Sequence, residues 1–155
     1  MKTIFTLLLI MLLTVTAKAQ QLEYLTEDDL VLSIVQAELD GEDYSELYVK
    51  NEAFLAFYYR DSTAYFANVW QKSDTQSYGR ITLLELGETN NGMTASVIWK
   101  YANSYDDKIG TAQIILRLTN RPVSVSFELS VLTESGSLSI YKGYVNGSLN
   151  WKPYF

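Results

Sequence analysis

The chain contains no cysteine and no histidine. Without imidazole there is no Ser-His-Asp triad and no Cys-His pair, because both use it as the base. Zinc, copper and haem sites that rely on imidazole or thiolate lose their ligands, and no disulfide framework can be built. The loops G-x-x-x-x-G-K-[ST] and G-x-G-x-x-G and the G-x-S-x-G elbow are also absent. A carboxylate pair, or a Lys, Tyr or Ser/Lys arrangement, is the chemistry left. Glu85 and Glu128, both in predicted strands, are the pair a glycosidase would draw on. The expectation is a non-catalytic protein with no metal and no cofactor.

Positive charge is scarce as well. Twelve basic residues face eighteen acidic ones, a net charge of −6. The excess is local: 23–52 holds ten acids and the single base Lys50, whereas 53–155 is nearly balanced. A net negative chain without a basic stripe excludes nucleic acid as an expected partner, and it disfavours anionic membrane surfaces. Asp40, Glu42, Asp43 and Glu46 could offer oxygen ligands to calcium, but they do not follow the twelve-residue calcium loop. A solvated acidic turn is the expectation there.

The first nineteen residues carry the strongest signal. Lys2 precedes an apolar run from Ile4 to Val15, broken only by Thr6 and Thr14, and Ala17-Lys18-Ala19 places small residues before Gln20. This is the pattern of a secretory signal peptide with an A-x-A cleavage site; the run is too short to span a bilayer. Losing Lys2 and Lys18 with it would take the net charge from −6 to −8. No later stretch reads as a transmembrane helix, and no cysteine follows that could carry a lipid. The expected product, 20–155, is one exported domain, periplasmic or extracellular, and the lack of disulfides fits a bacterial cell envelope.

Within that domain, 26–40 reads as an N-terminal helix. Thr26 and Asp29 form a capping-box-like pair, and Asp29, Ser33, Gln36 and Asp40 make a polar stripe at helical spacing. The competing strand reading puts Leu30, Leu32 and Ile34 on one face, with Asp40-Gly41 as a hairpin turn, but it separates the other residues poorly. Residues 44–50 are ambiguous. Beyond them come short strands: 53–60 and 64–72 around Asp61-Ser62-Thr63, 80–88 and 93–102 around Asn91-Gly92, then 109–119, 123–132 and 138–145, with a last short strand before Pro153. From Val123 to Val131 apolar and polar residues alternate cleanly. The segments "AFLAFYY" and "AQIILRL" look apolar on both faces, as strands between two layers do. The expected fold is mainly β: an antiparallel meander of seven or eight strands forming a barrel or strongly curled sheet, with one N-terminal helix packed against it. Small lipocalin-type barrels share the strand count, but the G-x-W motif near their first strand is absent here.

One internal echo stands out. Residues 66–70 read "FANVW" and 101–105 read "YANSY", with Tyr144-Val145-Asn146 as a third relative. Aromatics suit strands and Asn suits turns, so similar strand endings recur without common function. That account explains Asn68 least, because Asn68 falls inside a strand. The functional account makes the echo a set of aromatic platforms with adjacent amides, suited to sugars or flat small molecules. It nominates Phe66, Asn68, Trp70, Trp99, Tyr101 and Asn103 as ligand-binding residues. Two kinds of partner follow: a small apolar or aromatic molecule inside a hollow barrel, or an envelope protein on the surface of a filled one. A small outer-membrane barrel fits the size and the terminal Phe155, but Pro153 and the missing polar lumen face speak against it.

Overall fold

The computed structural model describes residues 29–70 and 74–146. The proposed signal peptide and the predicted strand after Asn146 lie outside them. The elements are β1 (Leu30–Leu39), β2 (Glu42–Asp43), α1 (Ser45–Lys50), β3 (Phe54–Arg60), β4 (Thr63–Trp70), β5 (Asp74–Thr89), β6 (Gly92–Asn103), β7 (Ile109–Asn120), β8 (Val125–Thr133) and β9 (Leu138–Asn146). Successive strands pair antiparallel from β3 to β9, β1 pairs with β3, and β1 also pairs with β9. The result is a closed eight-stranded meander barrel, with β2 a two-residue appendage of β1 and one short helix near the N-terminus. Closure pairs both edges of the sheet, the feature that full barrels use to remove exposed strand edges.

The expected helix over 26–40 is corrected: its described part, from Leu30, is strand β1, and the helix is α1. A β-bulge between Ile34 and Gln36 explains the misleading pattern. Leu30, Leu32 and Ile34 face inward, Val35 is the extra residue, and Ala37 and Leu39 regain the inner face. The bulge shifts the alternation by one position, so the polar residues imitate helical spacing. Asp40 and Gly41, with φ of +51° and +86°, form a hairpin turn that needs left-handed residues. Asp61 and Ser62, both at positive φ, do the same between β3 and β4.

The ambiguous 44–50 segment is helical because its ends suit a helix. Asp43 accepts hydrogen bonds from the Ser45 backbone N–H and hydroxyl, Glu46 lies in the first turn and Lys50 in the last. Only Tyr48 is buried on α1; Leu47 and Val49 are exposed. Strands β1 and β3 share just four residue pairs, Leu30 to Ser33 against Phe57 to Phe54. Beyond Ser33 the two diverge, and the β2–α1 excursion, tied back by Tyr44 N–H to the Ala37 carbonyl, occupies the breach.

Inside the barrel a single core runs through Leu32, Leu55, Phe57, Phe66, Val97, Ile114, Leu116 and Leu129. "AQIILRL" alternates after all, with Ala112, Ile114, Leu116 and Leu118 inside and Gln113, Ile115 and Arg117 outside. "AFLAFYY" is buried on both faces as expected, through a second cluster on the outer side: Ala56, Tyr58, Ala67 and Val69, flanked by Phe54, Tyr65 and Tyr78. The alternation from 123 holds from Val125 onward, but Val123 is 97% exposed in the turn after Pro122. The outer face of β7, β8 and β9 carries a cross-strand charge ladder, Arg117–Glu128–Lys142, at 3.0 and 3.4 Å.

Candidate functional site

The register explains the echo. Phe66 pairs with Gly79 and Gly79 with Tyr101, while Asn68 pairs with Ser77 and Ser77 with Asn103. Strands β4 and β6 therefore run parallel on either side of β5, and the two aromatic-Ala-Asn units sit at the same height. Directly opposed residues share a face, so all four face the interior. The third relative is out of phase. Tyr144 is half-exposed on the outer face, and Asn146 donates to the Ser33 hydroxyl there.

All six nominated residues line one cavity of about 370 Å³ at the end of the barrel nearest α1. Leu55, Phe66, Trp99, Val131 and Tyr141 form its deep part, and Tyr48 of α1 closes one side. Gln76, Ser77, Asn103, Tyr105, Thr133, Ser137 and Ser139 ring the mouth. The aromatic rings are mutually braced. Phe66 meets Trp99 edge-on at 4.9 Å, Trp99 lies 4.8 Å from Tyr101, and Tyr48 meets Trp70 edge-on at 5.1 Å. Such pairs each contribute about 0.5–1.5 kcal/mol beyond burial. Tyr48 and Tyr141 also bring their hydroxyls to 3.4 Å. Burial, and then the neighbouring Tyr48, pushes the Tyr141 phenol well above its ordinary value, so it stays neutral.

Polar satisfaction separates the two asparagines of the echo. Asn103 accepts from the Ser77 hydroxyl and donates to Asp106, and its backbone N–H bonds the Lys108 carbonyl. It closes the β6–β7 loop, as the topological account expects of a strand-end Asn. Asn68 is different: its Oδ1 is buried without a partner among the described residues, and so is the indole Nε1 of Trp99. Buried polar groups are nearly always paired, and leaving one unpaired costs about 1–3 kcal/mol. Both atoms belong to residues that line the cavity.

Sequence reasoning missed Tyr48, Leu55, Val131 and Tyr141. Tyr48 belonged to the ambiguous segment, while Tyr141 could have been found from the alternation through Gly143 that turns it inward. The carboxylates proposed for catalysis do not meet. Glu85 is exposed on β5 and Glu128 half-buried on β8, three strand spacings or roughly 14 Å apart along the sheet. The acidic run is used structurally: Asp40 accepts from the Ser137 hydroxyl and the Leu138 N–H, Asp43 accepts from the Ser45 N–H and hydroxyl beside the start of α1, and Glu42 accepts from Tyr44. Among the described residues no cluster of three carboxylates could hold a metal ion. A wide, shallow groove on the outer face, lined by Arg117, Arg121, Ser126, Glu128, Lys142 and Tyr144, is more spacious but open; Arg117 and Lys142 pair with Glu128, and Arg121 donates to the Ser126 hydroxyl. The interior cavity is the better candidate. No protein family, no curated protein and no solved structure matches the chain.

Proposed function

We infer that this is a non-catalytic binding protein that holds a small molecule in the mouth of its barrel. The observation that carries this reading is a cavity walled by aromatic rings, whose lining residues Asn68 and Trp99 each hold a buried polar atom without a partner among the described residues. A filled, purely structural barrel would have no reason to retain them, since each costs stability that a Leu or Phe would restore. The cavity lies within the size range of small-molecule sites, about 300–1,000 Å³. An apolar interior beneath a charged outer face on β7 to β9 is the inverse of a lipid-facing barrel, which favours an exported, water-facing protein over a membrane one. A protein partner is the second reading, supported by Leu84, Leu47 and Val49, which are each about half exposed.

Native mass spectrometry of the chain, expressed with its leader in a bacterial export host and purified without detergent, tests this reading. The expected product starts at Gln20 and carries an added mass that is lost on denaturation. A bare, compact species after export would shift the assignment to the filled-core interaction protein.

A further inference from the structure

The barrel closes, but its strands are of unequal length and one of them overhangs its neighbour. Strand β4 begins at Thr63, and its pairing with β5 reaches only as far as Tyr65 opposite Arg80. Strand β5 continues to Thr89, paired there with β6 alone. Residues 81–89 therefore present one row of backbone N–H and C=O groups with no strand beside it among the described residues. The side chains register the same gap. Leu83 and Leu86 stand opposite Val97 and Ala95, which are each 2% exposed, yet are themselves 40% and 39% exposed. Leu84, the extra residue of a bulge between Leu83 and Glu85, is 55% exposed. Across 82–90 only Gly87 is even half-buried. None of these residues lines the cavity, so this surface is independent of the binding reading above.

An unpaired edge with apolar side chains is a template for another strand, and natural proteins guard such edges with charge and with bulges. This edge has both: the bulge, and the exposed Glu85 and Glu88, with no basic residue from 81 to 99. The charge decides what can pair here. A second copy would bring the same two carboxylates to a ladder only a few residues long, and like charges opposed across strands destabilise the pair. The segment of this chain that precedes β1, residues 20–28, carries Glu23, Glu27 and Asp28 and no base, and is disfavoured in the same way. A strand bearing lysine or arginine turns both carboxylates from guards into attractions. We propose that β5 from 81 to 89 is a docking edge for an extended segment of another protein, one that alternates apolar residues with lysine or arginine and joins the sheet as an added strand. Main-chain hydrogen bonds supply the affinity; the leucines and the two carboxylates supply the selectivity.

Two synthetic octapeptides test this on the exported protein: one of alternating valine and lysine, the other with glutamate in place of lysine. Backbone amide shifts followed by NMR at physiological ionic strength give the site and the affinity together. The lysine peptide is expected to bind at least about tenfold tighter than the glutamate peptide, the scale of two cross-strand charge pairs, with shifts centred on 81–89. The double variant Glu85→Lys, Glu88→Lys should reverse that preference, which a merely damaged fold would not do. Should the variant fail to fold, the site and the ratio on the unaltered protein decide alone. Equal affinity for the two peptides, binding of neither, or shifts on the acidic 38–46 turn instead overturns the proposal. So do two results on the free protein. Shifts at 81–89 that move with protein concentration would assign the edge to a second copy, and NMR contacts between 20–28 and β5 in the monomer would assign it to the chain's own segment.

Discussion

Two asparagines in the same sequence context have opposite situations, and the difference lies in what the next strand offers. Asn103 ends β6, where Ser77 and the Asp106 loop meet its amide. Asn68 sits two residues before the end of β4, where the inward direction leads to aromatic rings. The sequence alone shows that Asn68 is out of place in a strand, but not that its oxygen is unpaired, because pairing depends on β5 and β6 brought alongside. A glycine tunes the neighbouring wall. A Cβ at Gly110 would stand 2.6 Å from the Tyr101 hydroxyl and 2.7 Å from its ring carbon, so the missing side chain is what lets that ring lie back against β7. Gly110→Ala should keep the barrel, since only the far end of a side chain must move, and should push Tyr101 into the cavity. Affinity for the small molecule carried through export is then expected to fall about tenfold, the scale of one lost aromatic contact, with the far-ultraviolet circular dichroism preserved. Unchanged affinity would show that Tyr101 does not line the occupied volume.

Among the elements, hairpins were the most legible and β1 the least. Asp61-Ser62 and the Asn-rich turn between β5 and β6 announce themselves through local chemistry, although the latter turn is 90–91, with Gly92 already paired to Thr89. Strand β1 carries a bulge, and a bulge is a tertiary feature: it accommodates the closing pairing with β9, a partner more than a hundred residues away. Strand β1 also supplies the latch at the cavity mouth. From the turn that follows it, the Asp40 carboxylate accepts from the Leu138 N–H and the Ser137 hydroxyl, while its own N–H bonds the Leu138 carbonyl. Those bonds, the Leu138 N–H first, hold the Asp40 carboxyl below its ordinary value. A depressed folded-state value means that the latch stabilises the fold above the unfolded-state value near pH 4. The contribution is then lost as pH falls through the folded value. Asp40→Asn should therefore lower the urea midpoint at pH 7, and the gap from the unaltered protein should close below about pH 4. A gap of constant size across that range would mean that the charge has no part in the latch.

At the scale of the whole molecule, a chain without disulfides relies on ring packing to hold a barrel closed, and many of its rings are phenols. Twelve tyrosines are present, and among the described ones burial raises Tyr58 and Tyr141 furthest. Tyr141 lies in the core, raised by burial and then by Tyr48. Tyr58 lies in the outer cluster, stacked on Tyr65 with ring centroids 5.3 Å apart. Burial, followed by the neighbouring Tyr65 and Tyr78, pushes its phenol up to about 12. In the unfolded chain both would ionise at the ordinary value of 10.0. Because the folded values are the higher ones, stability is intact below pH 10 and falls as the pH climbs toward and past 12, the unfolded state being the one that releases protons. The barrel should thus meet an alkaline limit set by a few interior and cluster tyrosines rather than by surface charge. Tyrosinate absorbance followed alongside circular dichroism should show exposed phenols titrating with the fold intact, and a final fraction ionising only as the fold collapses. Tyr141→Phe and Tyr58→Phe, which keep the rings and remove the ionisable hydroxyls, should each move that collapse to higher pH with little change at neutrality. If the midpoint stays put in both variants, the alkaline limit belongs to other groups, and the two clusters do not hold the barrel closed in the way their burial implies.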